Sequence, residues 1–399
     1  MSGMDFLERL LDGVAVEWKP LESVAKIKHG RDWKGLNAGD VPVYGSGGIM
    51  GYVDRYLYDK PTVLIPRKGS ITNIFYVETP LWNVDTIYHT EIDTLRIVPK
   101  YLYHFIKTID LMSLDTGSGR PSLTQAILNK IQIPIPCPDN PDRSLAIQSE
   151  IVRILDTFTA LTAELTAELT AELTDRQKQY NYYRDRLLTF GDKVPLMQLS
   201  HCCVSIADGD HQAPPKTNKG IPFITISNVS NSYQIDFINT RFVSEAYYSE
   251  LDDKRKARKN DILYTVVGSF GIPVFINDNR KFIFQRHIAI LRPNENVIIP
   301  KYIYHVLRSS DFLKQAHAVA VGAAQKTITL TALNRMKVPV PSLEEQACIV
   351  AILDKFDTLT TDLSEGLPRE IALRQQQYEY YRDLLLTFPK TKEEQWASS

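Results

Sequence analysis

Between residues 254 and 259 the chain reads Lys254-Arg255-Lys256-Ala257-Arg258-Lys259, five cations in six residues. A run of this kind is either a solvated face or a set of phosphate contacts. Other side chains could read base edges, where Arg and Lys donate to guanine and Asn and Gln pair with adenine. In the same half of the chain these are Gln212, Asn228, Gln285, Arg286, His287, Gln325 and Lys326. Nearer the N-terminus, Lys26, Lys28, His29, Arg31 and Lys34 form one group, and Arg67, Lys68, Ser70 and Arg120 another, in loops bounded by glycine. Lys68-Gly69-Ser70 would place backbone amides on a phosphate. For each of these residues the competing reading is a solvated turn residue. The overall charge counts mildly against nucleic-acid binding, at −1 from 46 Lys+Arg and 47 Asp+Glu. A polyanion-binding chain of this balance must segregate its cations onto one surface.

No catalytic constellation accompanies these groups. The segment Gly45-Ser-Gly-Gly-Ile-Met-Gly51 has its glycines as G-x-G-G-x-x-G, and no long helix with a downstream acid follows, so it reads as a turn. GAAQKT at 322–327 lacks the second glycine of a phosphate-binding loop. The eight histidines are spread without pairing, and no H-E-x-x-H or nucleophile elbow is present. Cys137, Cys202, Cys203 and Cys348 form no C-x-x-C pair, which points to reduced thiols and no metal site. No apolar run approaches the roughly 18–20 residues of a membrane span. MSGMDFLERLLDG reads as a short amphipathic helix, not a signal peptide, and the expectation is a cytoplasmic chain.

The elements that must position these groups come in duplicate. QYNYYRDRLLTF around Tyr180 returns as QYEYYRDLLLTF around Tyr378, an offset of 198 residues. SEIVRILDTFTAL and ACIVAILDKFDTL match at the same offset, and ILNKIQIPIP (127–136) matches ALNRMKVPVP (332–341) at 205. Agreement in order and spacing marks a tandem duplication. In each half the first part diverges and alternates β-branched and aromatic residues with Gly, Asn, Asp and Pro, as in VPVYGSGGIMGYVDRYLYDKPTVLIP and KFIFQRHIAILRP. Those are strand and turn signals. Short helices are expected around 101–112 and 302–313.

The second part of each half is helical, from about Ser149 to Leu188 and from about Leu343 to Leu386. Ile151, Ile154, Leu155, Phe158, Leu161, Leu165, Leu169 and Leu173 make a stripe at spacings of three and four. About 38 residues would form a rod of roughly 55–60 Å, and the expected partner for the stripe is the equivalent rod. Gly366 and Pro368 predict a kink or break in the second rod. TAELTAELTAEL (162–173) in the first rod is either a good helix former duplicated by slippage or a ruler. Each four-residue unit adds about 6 Å and turns by about 40°. B-DNA rises about 3.4 Å per pair and turns by about 34–36°, so one unit corresponds to about one to two base pairs.

Two divergent globules alternating with two similar helical segments resemble the specificity subunits of type I restriction–modification systems. The resemblance covers nearly the whole chain and is most specific in GSGRPSLTQAILNKIQIPIP, the paired tyrosine segments and the TAEL block, which points to the type IC branch. PVYGSGGIMGYVDRYLYDKPTVLIPRKGSI also resembles a recurring target-recognition pattern. The resemblance implies a mixed α/β (α+β) fold. Two target recognition domains alternate with two long helices paired as an antiparallel coiled coil, with an internal pseudo-twofold. The domains expected are an N-terminal helix (1–15), a first recognition domain (16–148), a central helical spacer (149–190), a second recognition domain (191–342), a C-terminal helical spacer (343–389) and a tail (390–399).

By the same resemblance, each globule reads half of an asymmetric bipartite DNA target and the helices set the spacer. Two modification subunits dock on the repeated helices and methylate adenine at N6, and motor and nuclease subunits join for cleavage. S-adenosylmethionine, ATP and Mg are then expected on those partners and no cofactor on this chain, which lacks the methyltransferase cofactor loop and Asn/Asp-Pro-Pro-aromatic motif. Tyr180, Tyr182, Tyr183 and Arg184, with Tyr378, Tyr380, Tyr381 and Arg382, recur where the globules diverge. They either staple helix ends to the globules or dock an identical partner twice. Two rival readings are a coiled-coil scaffold that never touches DNA and a self-contained enzyme with unrecognised motifs.

Overall fold

In the computed structural model the described residues are 9–115, 121–212, 214–230, 232–323, 325–361 and 366–388. They divide into two units, Met1–Thr166 with Leu373–Ser399, and Ala167–Ala372. Residues 1–8 of the predicted N-terminal helix, and the 390–399 tail, lie outside the described residues; residues 9–11 are helical.

In the first unit the strands are β1 (Val16–Pro20), β2 (Ala25–Lys28), β3 (Val41–Gly45), β4 (Gly48–Val53), β5 (Thr62–Pro66), β6 (Phe75–Val77), β7 (Trp82–Asn83), β8 (Ile87–Ile92) and β9 (Gln132–Pro136). Helices α1 (Pro99–Ile106) and α2 (Gln125–Asn129) precede the long α3 (Pro141–Leu187). The sheets run β2-β8-β5-β6 and β4-β3-β7, with β1 and β9 paired apart. β5 is buried at every position, as expected of an inner strand, whereas β2 alternates buried Ala25 and Ile27 with exposed Lys26 and Lys28. The G-x-G-G-x-x-G segment is the β3–β4 hairpin.

The second unit continues with β10 (Leu196–Gln198), α4 (Leu199–Cys202), β11 (Cys203–Asp208), β12 (Ile221–Ile224), β13 (Arg241–Val243), α5 (Glu245–Glu250), β14 (Ile262–Thr265), β15 (Pro273–Phe275), β16 (Ile283–Phe284) and β17 (Ile288–Pro293). Then come α6 (Pro300–Leu307), α7 (Ser310–Val319), α8 (Leu330–Arg335), β18 (Lys337–Pro339), α9 (Leu343–Thr361) and α10 (Leu367–Leu385). Its sheets are β11-β17-β14-β15, β13-β12-β16 and β10-β18. This is the order of the first unit, strand for strand, in two globules whose sequences hardly agree.

The anchors that the two units share explain the repeat. Proline stands first in both α1 and α6, where its missing N–H is harmless. Gln148, buried in α3, accepts from Val98 N at 2.8 Å and donates to Arg96 O at 3.1 Å. Gln346 in α9 does the same with Ile299 N at 2.8 Å and Val297 O at 3.2 Å. One turn later Tyr101 donates to Pro134 O and Tyr302 to Pro339 O. His104 and Lys100 converge on Asp156, and His305 and Lys301 on Asp354. Thr124 and Thr329 cap α2 and α8 with their side chains, placing the repeated segments that follow.

The first rod departs from its expected bounds. α3 starts at Pro141, eight residues ahead of Ser149, with the Asn140 side chain accepting from Arg143 N. The apolar stripe missed this turn because Ser144 and Gln148 are polar residues facing the core. Ile151 and Leu155 are fully buried, while Leu165, Leu169 and Leu173 in the TAEL block are half-buried and Leu161 is exposed. The second rod is two helices, α9 and α10, with Pro368 in the first turn of α10. Residues 362–365 between them are not among those described. Within the first unit Phe158 packs on Tyr381 and Thr159 donates to the Tyr378 hydroxyl; within the second, Tyr183 stacks on Phe356.

Replacing Gln148 or Gln346 by alanine takes the side-chain partner from a partly buried N–H and a carbonyl together. Each variant is expected to lose about 1–3 kcal/mol of stability, read as a lowered urea midpoint; an unchanged midpoint would remove the clasp from the account.

Candidate nucleic-acid interface

The loop leaving the inner strand of each main sheet takes the same path in both units. Arg67 N donates to Thr86 O, and Val266 N to His287 O, both at 2.9 Å. Leu123 N returns to Arg67 O and Ile328 N to Val266 O, both at 2.8 Å. Gly69 and Gly268 then take φ of +84° and +72°, a left-handed turn that favours glycine, and donate to Pro121 O and Lys326 O. Three segments distant in sequence therefore meet at one corner.

A pocket opens at that corner in each unit, with different walls. In the first it measures about 480 Å³ and is lined by Ser46, Lys68, Gly69, Thr86, Pro121 and Ser122. In the second it measures about 370 Å³, and its polar wall holds Asp208, His211, Arg286, His287, Gln325 and Thr327. Burial, and then the neighbouring Arg286 guanidinium, hold His287 below the ordinary imidazole range. Asp208 carries both His211 and Arg255. The second pocket thus offers a guanidinium, an amide and two imidazoles, whereas the first offers an ammonium and hydroxyls. One suits guanine and adenine edges and the other phosphate or mixed contacts.

Of the residues singled out in the first half, Lys26, Lys28, His29, Arg31 and Lys34 are exposed, with Lys28 3.4 Å from Glu91 and His29 set edge-on against Tyr88. Arg67 is half-buried beside Asp85, and Lys68 and Ser70 are exposed. The amide cradle expected of Lys68-Gly69-Ser70 is corrected: Lys68 N and Gly69 N already donate to Thr86 O and Pro121 O. Arg120 lies outside the described residues.

In the second half the pocket gathers Arg286, His287 and Gln325. Lys326 beside them is exposed, as is Gln212 next to His211, and Gln285 is half-buried. Asn228 is no reader of bases. It is buried, with its Oδ1 accepting from Thr225 N at 3.0 Å and its Nδ2 donating to Asn239 O at 2.8 Å. The basic run is also corrected. Lys254 pairs with Asp252, Arg255 with Asp208, and Lys256 and Arg258 with Asp253, so its charge is largely compensated within the fold. Lys259 has no carboxylate partner among the described residues.

The paired tyrosines separate by role. Tyr180 is buried, donating to or accepting from His305 Nδ1 at 2.9 Å, and Arg184 is buried beside it. Tyr378 and Arg382 are half-buried. Tyr182 and Tyr183 remain exposed in an edge-to-face pair, as do Tyr380 and Tyr381. Ser46, Thr86, Asp208, His211 and Thr327 were missed. The only signal for them was the glycine-serine step shared by Lys68-Gly69-Ser70 and Val267-Gly268-Ser269.

Comparison with known proteins agrees with this duplication. The Type I restriction modification DNA specificity domain matches residues 14–175 and again 210–373. The chain is 37% identical over 427 residues to the type I restriction enzyme EcoR124I/EcoR124II specificity subunit of Escherichia coli, covering 98% of each. It is 33% identical over 401 residues to the putative type I restriction enzyme specificity subunit S.HindORF215P of Haemophilus influenzae, covering 96% of this chain and 98% of that one. A solved chain from work on complex assembly and conformational transition of the type I R-M system shares the fold, with a TM-score of 0.61 at 17% identity over 93% of this chain and 97% of its own.

Two outcomes follow from the burial of these groups. Asn228→Ala is expected to destabilise by about 1–3 kcal/mol, visible in chemical denaturation of the DNA-free chain, where a surface reader would leave stability unchanged. Burial also holds His89 down at about 4 and keeps His104, His287 and His305 below the ordinary 6.5. The unfolded chain then binds more protons than the folded one below about 6.5, so stability falls as pH drops from there toward about 4. Urea midpoints at several pH values check the slope, and His89→Gln should flatten part of it.

Proposed function

Because the chain belongs to the type I restriction–modification DNA specificity family, we propose that its two globules each read one half of an asymmetric, two-part DNA target. The observation that carries this is the pair of corner pockets. A shared backbone path presents Lys68, Ser46 and Thr86 in one unit and Arg286, His287 and Gln325 in the other. One frame with two linings suits two different half-sites. In this reading the chain performs no chemistry. S-adenosylmethionine, ATP and Mg belong to modification, motor and nuclease partners.

The proposal gives the helices two tasks. The TAEL block, at about 6 Å per unit, sets the unspecified spacer, and it is also what supports the type IC assignment. The exposed Tyr182–Tyr183 and Tyr380–Tyr381 pairs recur in the same arrangement on α3 and α10, which suits two copies of one adenine-N6 methyltransferase subunit. Adenine methylation requires extruding the base into the partner's pocket, so this chain need only hold the duplex in register.

Genome-wide mapping of N6-methyladenine, in cells expressing the cognate modification subunit with and without the chain, tests the proposal. The expected result is a new asymmetric two-part motif that appears only with the chain. Arg286→Ala should relax one half of that motif and Lys68→Ala should weaken the other. A stable complex that brings no new methylation would instead mark the chain as a scaffold.

A further inference from the structure

β4 is an edge strand of β4-β3-β7, and among the described residues it displays an exposed apolar surface. Ile49, Met50 and Tyr52 are 51%, 57% and 53% exposed, and Tyr56 just beyond is 55% exposed. Folded proteins normally blunt such an edge with charge or proline. Here the apolar side chains stand at the tip of the β3–β4 hairpin, whose turn includes Ser46 of the corner pocket. The corresponding edge strand of the second unit opens with exposed Arg241 instead.

The hairpin is thin and firmly held. A Cβ on Gly51 would come within 2.9 Å of the Trp33 ring, and one on Gly45 would strike the Met50 sulfur. The Trp33 ring therefore packs against the ribbon at Gly51, and Met50 folds over Gly45. Asn37 donates to Asp54 at 3.0 Å, and Asp54 N donates to Asn37 O, fastening the 31–37 loop along β4. That loop carries exposed Arg31 and Lys34, with exposed Asp32 between them, and Arg55 follows the strand at its base, so the cations stand along the ribbon and at its foot.

β7 pairs with β3 only at Val43 and Tyr44, so the hairpin tip beyond them is two-stranded, and a two-stranded ribbon fits the B-DNA major groove, about 12 Å wide, where the apolar mark is the thymine C5-methyl group. We propose that the β3–β4 ribbon enters the major groove, with Ile49 and Met50 packed on thymine methyls and Arg31, Lys34 and Arg55 on the flanking phosphates. This rests on the reading of the first globule as a DNA reader and adds that its half-site contains A·T pairs within reach of the ribbon.

The test measures binding of the assembled complex with its modification subunit to duplexes carrying the mapped target, with thymine replaced by uracil in one half-site at a time. Uracil in the half-site of the first globule should weaken binding about fourfold per contacted methyl, and uracil in the other half-site should not do so through this hairpin. The Ile49→Ala/Met50→Ala double variant should bind thymine and uracil duplexes alike, and Arg31→Ala and Lys34→Ala should each reduce the salt slope by about one. Equal affinity of the unaltered complex for both duplexes overturns the inference. So does thymine preference that survives in the double variant, or loss of modification-subunit binding in its place. Absence of any sequence preference in the unaltered complex would instead overturn DNA reading itself.

Discussion

A peptide N–H and carbonyl left without partners as they are withdrawn from water cost about 1–3 kcal/mol, and the partly buried turn that enters α1 or α6 presents both. Val98 N and Arg96 O, and likewise Ile299 N and Val297 O, point into the junction with the neighbouring rod. A single glutamine amide answers both groups, because its oxygen accepts where its nitrogen donates. With that amide in place, Lys100 and His104 reach Asp156, and Lys301 and His305 reach Asp354. Everything distinctive to each globule is built on this junction. Residues that serve it recur at fixed offsets, while residues beyond it are free to differ.

The same division runs through the corner that holds the two pockets. Its geometry is written in backbone hydrogen bonds and two left-handed glycines, which place few demands on the side chains around them. Lysine and threonine can then be exchanged for arginine, histidine and glutamine without moving the chain. A frame held by its own peptide groups lets specificity change while the fold stays fixed. Compensation matters as much as presentation: most cations in 254–258 are spent on Asp208, Asp252 and Asp253, so a run that looks electropositive on paper is mostly neutralised within the fold.

Much of the plan was legible in the sequence, because duplication makes shared structure visible as repeated letters. The rods came from that repetition, the strand-rich globules from β-branched and aromatic stretches broken by turn residues, and the family resemblance from the tyrosine segments, the TAEL block and GSGRPSLTQAILNKIQIPIP. What escaped notice has physical causes. The first two turns of α3 were hidden because two of the three residues they bury, Ser144 and Gln148, are polar and leave Ile147 without a stripe, and an apolar stripe cannot register an amide doing the work of a leucine. Asn228 was misread because a buried asparagine that caps a turn has the same letter as one that reads adenine. His211 and Asp208 join Arg286 and Gln325 only through strand order, which spacing along the chain does not encode. The strand-for-strand order that the two globules share was likewise invisible, since topology survives where side-chain identity does not.

The first unit is assembled from both ends of the chain, whereas Ala167–Ala372 is continuous. Leu385, Leu386 and Phe388 sit in the same hydrophobic core as Leu21, Ile65 and Tyr101. During synthesis at about 5–20 residues per second, roughly ten to fifty seconds separate the two contributions. The part made first must therefore wait for the part made last, and the later unit has all of its own residues to hand before the earlier one is whole. Until Leu385, Leu386 and Phe388 emerge, the nascent N-terminal globule lacks that part of its core.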